Sequence, residues 1–432
     1  MKIDLKYGKG TKSIFLPDGM DISILRPREL PVVPDLGQAL EDALNEPLGC
    51  PHLEERKSPV SIAIAVPDET RPTPLKILLP VLLKRLRRVW PELDSRRIRI
   101  VVGGGLHPAP DAAQLERILP EDVGGCAVIP HDAVNSPMTL FGRTSRGTPV
   151  EINSAYAEAE LKIVMGMIDP HQFQGMTGGA KGVVIGYASQ NTIQYNHGLM
   201  ISPDARAGEI SRNPARQDIN EAGRMIGIDL AINVCLNPEK RSVAVLAGDP
   251  EAVLNAGAAI SREIYGLAFD TPFDIVIASC GGDPKDICLY QAQKGLNMAS
   301  QCAAPGGRIL LLAACPQGVG DTRYHDYVRR FATPSEQMRE FAEQGFRMGA
   351  HKAFLFSRTL TRFTVIVDSD MDEHILAQCH LRKGDAQSAI DAWLQEFSAG
   401  TAPRVAIVPN ANTTYFHTTS GHIHKQLAEP GT

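Results

Sequence analysis

A glycine-rich segment with a single lysine follows an apolar run in the first half of the chain. Residues 169–182 contain His171, four glycines and Lys181, and residues 161–168 before them are mostly apolar. Glycines let backbone N–H groups converge on an anion. A lysine supplies a positive charge or, where its pKa is lowered, a nucleophilic amine. The segment therefore predicts a loop that binds a phosphorylated small molecule, although a glycine-rich turn with an incidental lysine has the same composition.

This segment does not match the phosphate-binding loop of the P-loop NTPases. That motif places Gly-Lys-Ser/Thr four residues after its first glycine. Counting from Gly175, Ala180 stands where the second glycine belongs and Gly182 where the hydroxyl belongs. An NTPase would therefore lack its magnesium-binding hydroxyl, and the sequence disfavours that class.

Three histidines, His107, His171 and His197, lie in loops rich in glycine or proline. Histidine transfers protons near neutral pH and is a common metal ligand. Three assignments stay open from the residues alone. All three could bind one metal, as in a zinc hydrolase; one could bind a metal while two act as acid and base; or each could cap its loop by hydrogen bonding.

Further polar residues follow the first predicted strand and occupy one turn of a later helix. Asp68 and Arg71 come after the strand at 60–66, where an arginine suits a carboxylate or phosphate, or an ion pair at the helix entry. Tyr290, Gln291 and Lys294 share a helical turn. They could bind an acid or form a solvated flank.

The alternation of strand, loop and helix predicts an α/β fold of two domains, each with a mainly parallel sheet flanked by helices. We expect the active site in the cleft between them. The predicted boundaries are residues 1–267 for a cofactor-binding domain, 268–409 for a domain that closes on the substrate, and 410–432 for a polar tail that could pack back on the first domain.

The composition of the 432 residues excludes several classes. A net charge of −5 gives no basic face for nucleic acid, and no apolar run is long enough to span a membrane. The eight cysteines form no CxxC pair and the N-terminus has no signal-peptide core, which predicts reduced thiols and a cytoplasmic location. The oligomeric state is not predicted.

Five ordered motifs together resemble the nickel-pincer-nucleotide lactate racemase family, over about residues 60–300. They are Asp-Glu-Thr-Arg-Pro at 68–72, Gly-Gly-Gly-Leu-His-Pro at 103–108, the segment from Asp-Pro-His171 to Lys181-Gly, Asn-His197-Gly, and Tyr290-Gln-Ala-Gln-Lys294-Gly.

The resemblance implies a racemase or epimerase that inverts C2 of a 2-hydroxy acid by hydride transfer to and from the cofactor. It implies that Lys181 tethers the nickel-pincer nucleotide, that His197 binds nickel, and that His107 and His171 are the acid/base pair. It also implies maturation proteins for the cofactor. The remaining implied roles are cofactor contacts for Asp68, Thr177, Gly178 and Gly179, and substrate contacts for Arg71, Tyr290, Gln291 and Lys294.

One departure from the family concerns the substrate. The family's lactate enzymes carry a tryptophan late in the second domain, but residues 349–354 here contain none, and the chain's tryptophans are Trp90 and Trp393. His351 and Lys352 could accept a larger or dicarboxylic acid, although surface positions are favoured for both. The alternatives are a metal hydrolase with a three-histidine site and a non-catalytic protein that binds a phosphorylated ligand.

Overall fold

The computed structural model describes residues 1–397 and 402–418 and divides into two compact units. One unit is Glu29–Ile264, called here the pocket unit. The other, called the terminal unit, joins Met1–Arg28 to the described residues from Tyr265 onward. The first 28 residues therefore lie with the C-terminal part of the chain, whereas the prediction placed them in the domain of residues 1–267.

The strands are given in chain order. The first 28 residues contain β1 (Lys2–Tyr7), β2 (Gly10–Phe15) and β3 (Ile22–Ile24). The pocket unit contains β4 (Ile62–Pro67), β5 (Ile98–Gly103), β6 (Ala127–Pro130), β7 (Met138–Arg143), β8 (Pro149–Asn153), β9 (Leu161–Ile168), β10 (Pro170–His171), β11 (Gly175–Met176), β12 (Leu230–Leu236) and β13 (Ser242–Gly248). The rest of the terminal unit contains β14 (Gly266–Phe269), β15 (Phe273–Ser279), β16 (Ala303–Leu312), β17 (Thr364–Asp368), β18 (Arg382–Lys383), β19 (Val405–Val408) and β20 (Tyr415–Thr418).

The α-helices follow the same division. The first group is α1 (Leu36–Asn45), α2 (Leu75–Val89), α3 (Ala112–Ile118), α4 (Ser154–Ala157), α5 (Lys181–Val184), α6 (Gln190–Gly198), α7 (Pro214–Ile226) and α8 (Pro250–Tyr265). The second group is α9 (Leu289–Ala299), α10 (Thr322–Val328), α11 (Pro334–Gln344), α12 (Ala350–Leu360), α13 (Glu373–Gln378) and α14 (Ala386–Phe397).

The pocket unit is built on a sheet with strand order β13-β12-β9-β4-β5-β6. Its strands are parallel except β13, which pairs antiparallel with β12. Strand β4 is a continuous buried apolar run, as a central parallel strand requires. Helix α2 places leucines at helical spacing on the face that packs against the sheet. Because the strands are parallel, the loops after β4, β5, β9 and β12 emerge at one edge.

The terminal unit is built on a second parallel sheet with order β18-β17-β16-β15-β19-β3. Strand β3 pairs with β19 through Ile22 and Val405, which explains why the N-terminal residues belong to this unit. The α/β fold class with parallel sheets flanked by helices is confirmed.

Two stretches of this unit differ from the expectation. Residues 410–418 are part of the predicted polar tail, yet β20 pairs in parallel with β14; residues 419–432 lie outside the described part. Helix α12 was not predicted, and it buries His351 and Lys352, so the expected surface positions are wrong. The helix is apolar on most faces and packs against α9, α10 and α11, which leaves no polar stripe as a signal.

None of the described helices combines the length and hydrophobicity that a membrane crossing needs. All eight cysteines lie in the described residues and are free thiols. Trp90 and Trp393 are both buried in hydrophobic cores, one in each unit.

Candidate active site

A pocket opens where the loops after the strands of the first sheet meet. Asp68 and Arg71 line it after β4, Gly104 after β5, and Thr177 and Lys181 after β9. Residues that follow three different strands of the sheet therefore line one pocket inside a single unit.

Asp68 and His107 form a carboxylate–imidazole pair. Nδ1 of His107 lies 2.6 Å from Oδ2 of Asp68, and the hydroxyl of Thr70 donates to Oδ1 at 2.6 Å. Burial alone would raise the pKa of Asp68, but the hydrogen bonds from His107 and Thr70 outweigh burial and lower it. The carboxylate accepts, so Nδ1 is the donor and Nε2 of the neutral ring is left as a proton acceptor.

Gly104 allows this pair to form. A Cβ at residue 104 would lie 2.1 Å from Oδ2 of Asp68 and 2.7 Å from Nδ1 of His107. No side chain fits at such distances, so the glycine run before His107 provides the space that the hydrogen bond between His107 and Asp68 needs.

His171 lies in a short hairpin formed by β10 and β11. The backbone N–H of Gln174 donates to its Nδ1 at 3.2 Å, which leaves the hydrogen of the neutral ring on Nε2. Burial, followed by the charges of Lys181, His197 and Arg71, lowers the pKa of His171 well below the usual value for histidine. His171 is therefore neutral at physiological pH.

His197 lies near the end of α6, a helix capped by Ser189. The ring of Phe173 packs edge to face against both His197 and His171, with centroid distances of 5.1 Å and 4.7 Å. Asn196 next to it bonds to Gln174, Ala215 and Asp218. These buried bonds fix the helix turn that presents His197.

The turn at 177–179 holds its shape through backbone and side-chain bonds. Thr177 donates to the carbonyl of Met167 and accepts from the N–H of Asp169, both at 2.8 Å. Gly178 has φ +79°, and a Cβ there would lie 2.4 Å from Ile168. Gly179 lies behind the pocket and donates its N–H to Asn233 at 2.8 Å.

Lys181 begins α5 and lines the pocket with a side chain that is only 9% exposed. Among the described residues, its amine makes no hydrogen bond or ion pair. Burial, followed by the positive charges of Arg71 and Arg216, lowers the pKa of Lys181 well below the usual lysine value. A neutral amine that faces a cavity can act as a nucleophile.

The three histidines do not form one metal centre. Within residues 1–397 and 402–418, no group of three or more His, Cys, Asp or Glu side chains is arranged to hold a metal ion. His107 is engaged by Asp68, and His171 accepts from the Gln174 backbone. This arrangement argues against the three-histidine hydrolase.

Tyr290, Gln291 and Lys294 lie together on α9 in the terminal unit. Lys294 donates to Oε1 of Gln291 at 2.9 Å. Lys352 on α12 is buried, donates to Oε1 of Gln293 at 3.0 Å and lies 4.8 Å from the centre of the Tyr290 ring. The roles of the three α9 residues toward substrate stay predictions.

Arg216 and Asn233 contribute to the pocket unit but were not among the predicted site residues. Arg216 is fully buried and donates to backbone carbonyls of the loop below Lys181. The sequence contains a signal for the burial of Arg216, because this residue shares a helix face with Ile219, Gly223 and Ile226, three to ten residues later. Asn233 lies in a buried apolar strand, where a lone amide indicates a specific partner.

The sequence matches two family descriptions that together cover most of the chain. Residues 7–208 match the lactate racemase N-terminal domain and residues 269–413 match the lactate racemase C-terminal domain. The lactate racemase of Lactiplantibacillus plantarum is 32% identical over 86% of this chain and 89% of its own length. That of Thermoanaerobacterium thermosaccharolyticum is 30% identical over 79% of this chain and 81% of its own length.

Solved structures agree with this assignment. The lactate racemase apoprotein from Thermoanaerobacterium thermosaccharolyticum superposes with a TM-score of 0.88 at 26% identity, over 96% of this chain and all of that one. A protein from Thermotoga maritima shares the fold with a TM-score of 0.62 at 17% identity, over 91% of this chain and all of that one. The chain therefore belongs to the lactate racemase family, and the prediction of a racemase is confirmed.

Proposed function

We propose that this protein inverts C2 of a 2-hydroxy acid, with lactate as the first substrate to test, using a nickel-pincer nucleotide attached to Lys181. The observation that carries the proposal is a pocket lined by an unpaired, buried lysine amine beside a carboxylate–histidine pair. The named activity of the relatives supports the reaction class.

The residues of the pocket fit such a cofactor. The Lys181 amine is available to form an amide-type bond, in which nitrogen joins the carbon of an acid arm and one molecule of water leaves. Gly178 brings backbone to the pocket wall where a side chain would clash. Arg71 and the buried Arg216 surround the site with positive charge that suits a phosphate, and His197 would hold the nickel.

The histidines divide the proton transfer. When bound, the cofactor supplies an acceptor for the C2 hydride, so that no carbanion forms. Nε2 of His107 takes the hydroxyl proton of one enantiomer, and Asp68 stabilises the imidazolium that results. In the resting protein the neutral ring of His171 donates only a hydrogen bond, from Nε2 to the substrate oxygen. To give up a proton it must first become an imidazolium, as His107 does when it takes the hydroxyl proton, and for the opposite enantiomer the two rings exchange these roles.

Substrate recognition is assigned to Arg71, Tyr290, Gln291 and Lys294. Arginine and lysine pair with a carboxylate, and a tyrosine hydroxyl and an amide orient the 2-hydroxyl. No tryptophan occurs at 349–354. A 2-hydroxy acid with a larger or carboxylated side chain is accordingly the alternative to lactate.

The test is a panel of single enantiomers of lactate, malate and longer 2-hydroxy acids, incubated with protein produced alongside the cofactor-maturation proteins. Chiral chromatography should show the opposite enantiomer of at least one acid. Intact-mass measurement should show an adduct on Lys181. Protein with the adduct that inverts none of these acids would contradict the proposed reaction, and protein without any adduct would contradict the attachment.

A further inference from the structure

Arg216 is a buried arginine that hydrogen-bonds the backbone of the loop preceding Lys181. Arg216 is 0% exposed, its Nε donates to the carbonyl of Gln174 at 3.2 Å, and its Nη1 donates to that of Gly178 at 3.4 Å. Its Nη2 donates to the carbonyl of Met176. Because all three acceptors belong to one short loop, a single guanidinium fixes the backbone from 174 to 178.

The charge of Arg216 has no carboxylate partner among the described residues. The nearest acid along the helix, Asp218, accepts instead from Thr144, Thr148 and Asn196. Arg85 in the same unit shows the usual arrangement for a buried arginine, because it pairs with Glu41 and Glu54. Arg216 therefore adds a positive charge that no carboxylate in residues 1–397 or 402–418 neutralises.

The charged groups around the Lys181 amine are mostly positive. Arg71 lines the same pocket, and Arg216 acts from α7. The negative group of the pocket is Asp68, which is engaged by His107 and Thr70. Strand β9 also carries Lys162, near its first residue. The titratable groups of α7, β8 and β10 are neutral or engaged elsewhere: His171 on β10, Glu151 on β8 with Ser189, Asp218 on α7, Glu221 on α7 with Ser145, and Arg224 on α7 with Glu251.

We propose that Arg216 is a positioning residue for cofactor attachment: it fixes the loop below Lys181, and its unpaired charge favours the neutral, nucleophilic form of the amine. This inference rests on the proposed attachment at Lys181. A protonated amine has no lone pair, so attack on an acid carbon requires the neutral form. The lowered pKa of Lys181, caused by burial and then by the two arginines, supports the same conclusion.

Two substitutions separate the two parts of this role. Arg216→Gln removes the charge but keeps side-chain donors for the loop carbonyls, whereas Arg216→Lys keeps the charge but loses the planar fork. Arg85→Met is the matched control, because it removes a buried arginine of the same unit whose partners do not line the pocket. Circular dichroism reports whether each variant is folded.

The experiment is competitive labelling of the protein without cofactor by trace acetic anhydride between pH 6 and 11. Mass spectrometry of the Lys181 peptide gives the labelling rate relative to its own high-pH maximum, with exposed Lys84 as the internal reference. In the unsubstituted protein, Lys181 should reach half its maximum at lower pH than Lys84. In Arg216→Gln the midpoint should rise, and the normalised rate at pH 7 should fall roughly threefold to tenfold. Arg216→Lys should keep the midpoint but form the cofactor adduct more slowly.

Each of three results would overturn the inference. The first is a Lys181 midpoint equal to that of Lys84 in the unsubstituted protein, which needs no variant to fold. The second is an Arg216→Gln midpoint that matches the unsubstituted protein, and the third is an Arg216→Lys variant with an unchanged rate of adduct formation. Because the labelling uses no cofactor, normal labelling without an adduct would count against the proposed function instead.

Discussion

Two buried lysines, one in each unit, have very different surroundings. Lys181 lines a pocket and makes no hydrogen bond or ion pair among the described residues. Lys352 is 3% exposed, donates to Gln293 and lies over the Tyr290 ring. Burial is the largest cause of the lowered pKa in both, followed by the arginines for Lys181 and by Lys294 for Lys352.

The comparison shows that a lowered pKa alone does not identify a reactive lysine. Burial favours the neutral form of both amines, and Lys181 also borders a pocket. Lys352 is held by an amide oxygen and an aromatic face, which is how a buried polar group is satisfied within a helix pair. The contacts of the two amines, rather than their pKa values, therefore distinguish Lys181 from Lys352.

The largest expected effect is the loss of the cofactor adduct when Lys181 is replaced. Lys181→Met keeps the length of the side chain but removes the nucleophile, so we expect no adduct and no racemisation. Lys352→Met is the matched control and should keep the adduct. Intact mass of protein made alongside the maturation proteins measures both. If Lys181→Met formed the adduct in equal yield, the cofactor would be attached at another residue, and Lys181 would not be the reactive lysine.

The next effect concerns the proposed acid/base pair in the pocket unit, His107 and His171. His107→Ala and His171→Ala should each lower racemisation by about 10²–10⁴-fold, the usual contribution of a proton-transfer group. The adduct should remain, because the attachment is proposed to need the Lys181 amine and neither imidazole. Initial rates in both directions, with adduct occupancy measured on the same samples, test this. Full activity in either variant would show that inversion needs one histidine only.

Asp68→Asn should have a smaller effect than the loss of His107. The amide keeps the size of the side chain but no longer stabilises the imidazolium at 2.6 Å. We expect a decrease in kcat of roughly tenfold to a hundredfold, within the range for general acid/base catalysis. A decrease in adduct yield instead, with kcat per adduct unchanged, would assign Asp68 to the cofactor rather than to His107.

Local sequence patterns predicted the elements and the residues at the strand ends. Leucine spacing at 75–89 predicts helix α2, and the apolar, β-branched runs at 230–236 and 242–246 predict the hairpin of β12 and β13, because both patterns are local signals. Asp68, Arg71 and Lys181 do line one pocket.

The contacts that depend on distant parts of the chain were not predicted. The pairing of Asp68 with His107 joins residues 39 positions apart, and β3 reaches β19 across most of the chain. The buried state of Arg216 depends on a loop 38 to 42 residues earlier. Such pairings follow from topology, which periodicity does not encode.

Substitution of two glycines in the pocket unit, Gly178 and Gly147, should have a smaller effect, on stability rather than on catalysis. Gly178→Ala would place a Cβ 2.4 Å from Ile168 at a positive φ, whereas Gly147→Ala at φ +86° meets nothing within 4 Å. Both substitutions place an alanine at a positive φ, so the difference in stability between the two variants reports the close approach to Ile168. We expect Gly178→Ala to be the less stable by about 1–3 kcal/mol, measured by urea denaturation. Equal stabilities would mean that the loop yields without strain.

The smallest expected effect is the contribution of Lys352 to the pH dependence of stability. Its pKa is lower in the folded than in the unfolded protein, where the usual value is 10.5. Between these two values the unfolded state binds more protons, so this lysine lowers stability at neutral pH and the loss disappears as the pH rises toward 10.5. Lys352→Met removes that term. The variant's Tm minus that of the unsubstituted protein should therefore be a few degrees more positive at pH 7 than at pH 10.

The hydrogen bond from Lys352 to Gln293 is lost in this variant, and that loss lowers Tm by an amount that does not depend on pH. Only the change in the Tm difference between pH 7 and pH 10 reports the burial of the amine. Calorimetry at several pH values separates the two contributions, because other lysines titrate alike in both proteins. A Tm difference that stays constant with pH would mean that Lys352 keeps its proton on folding. The two lysines would then share burial but not a lowered pKa.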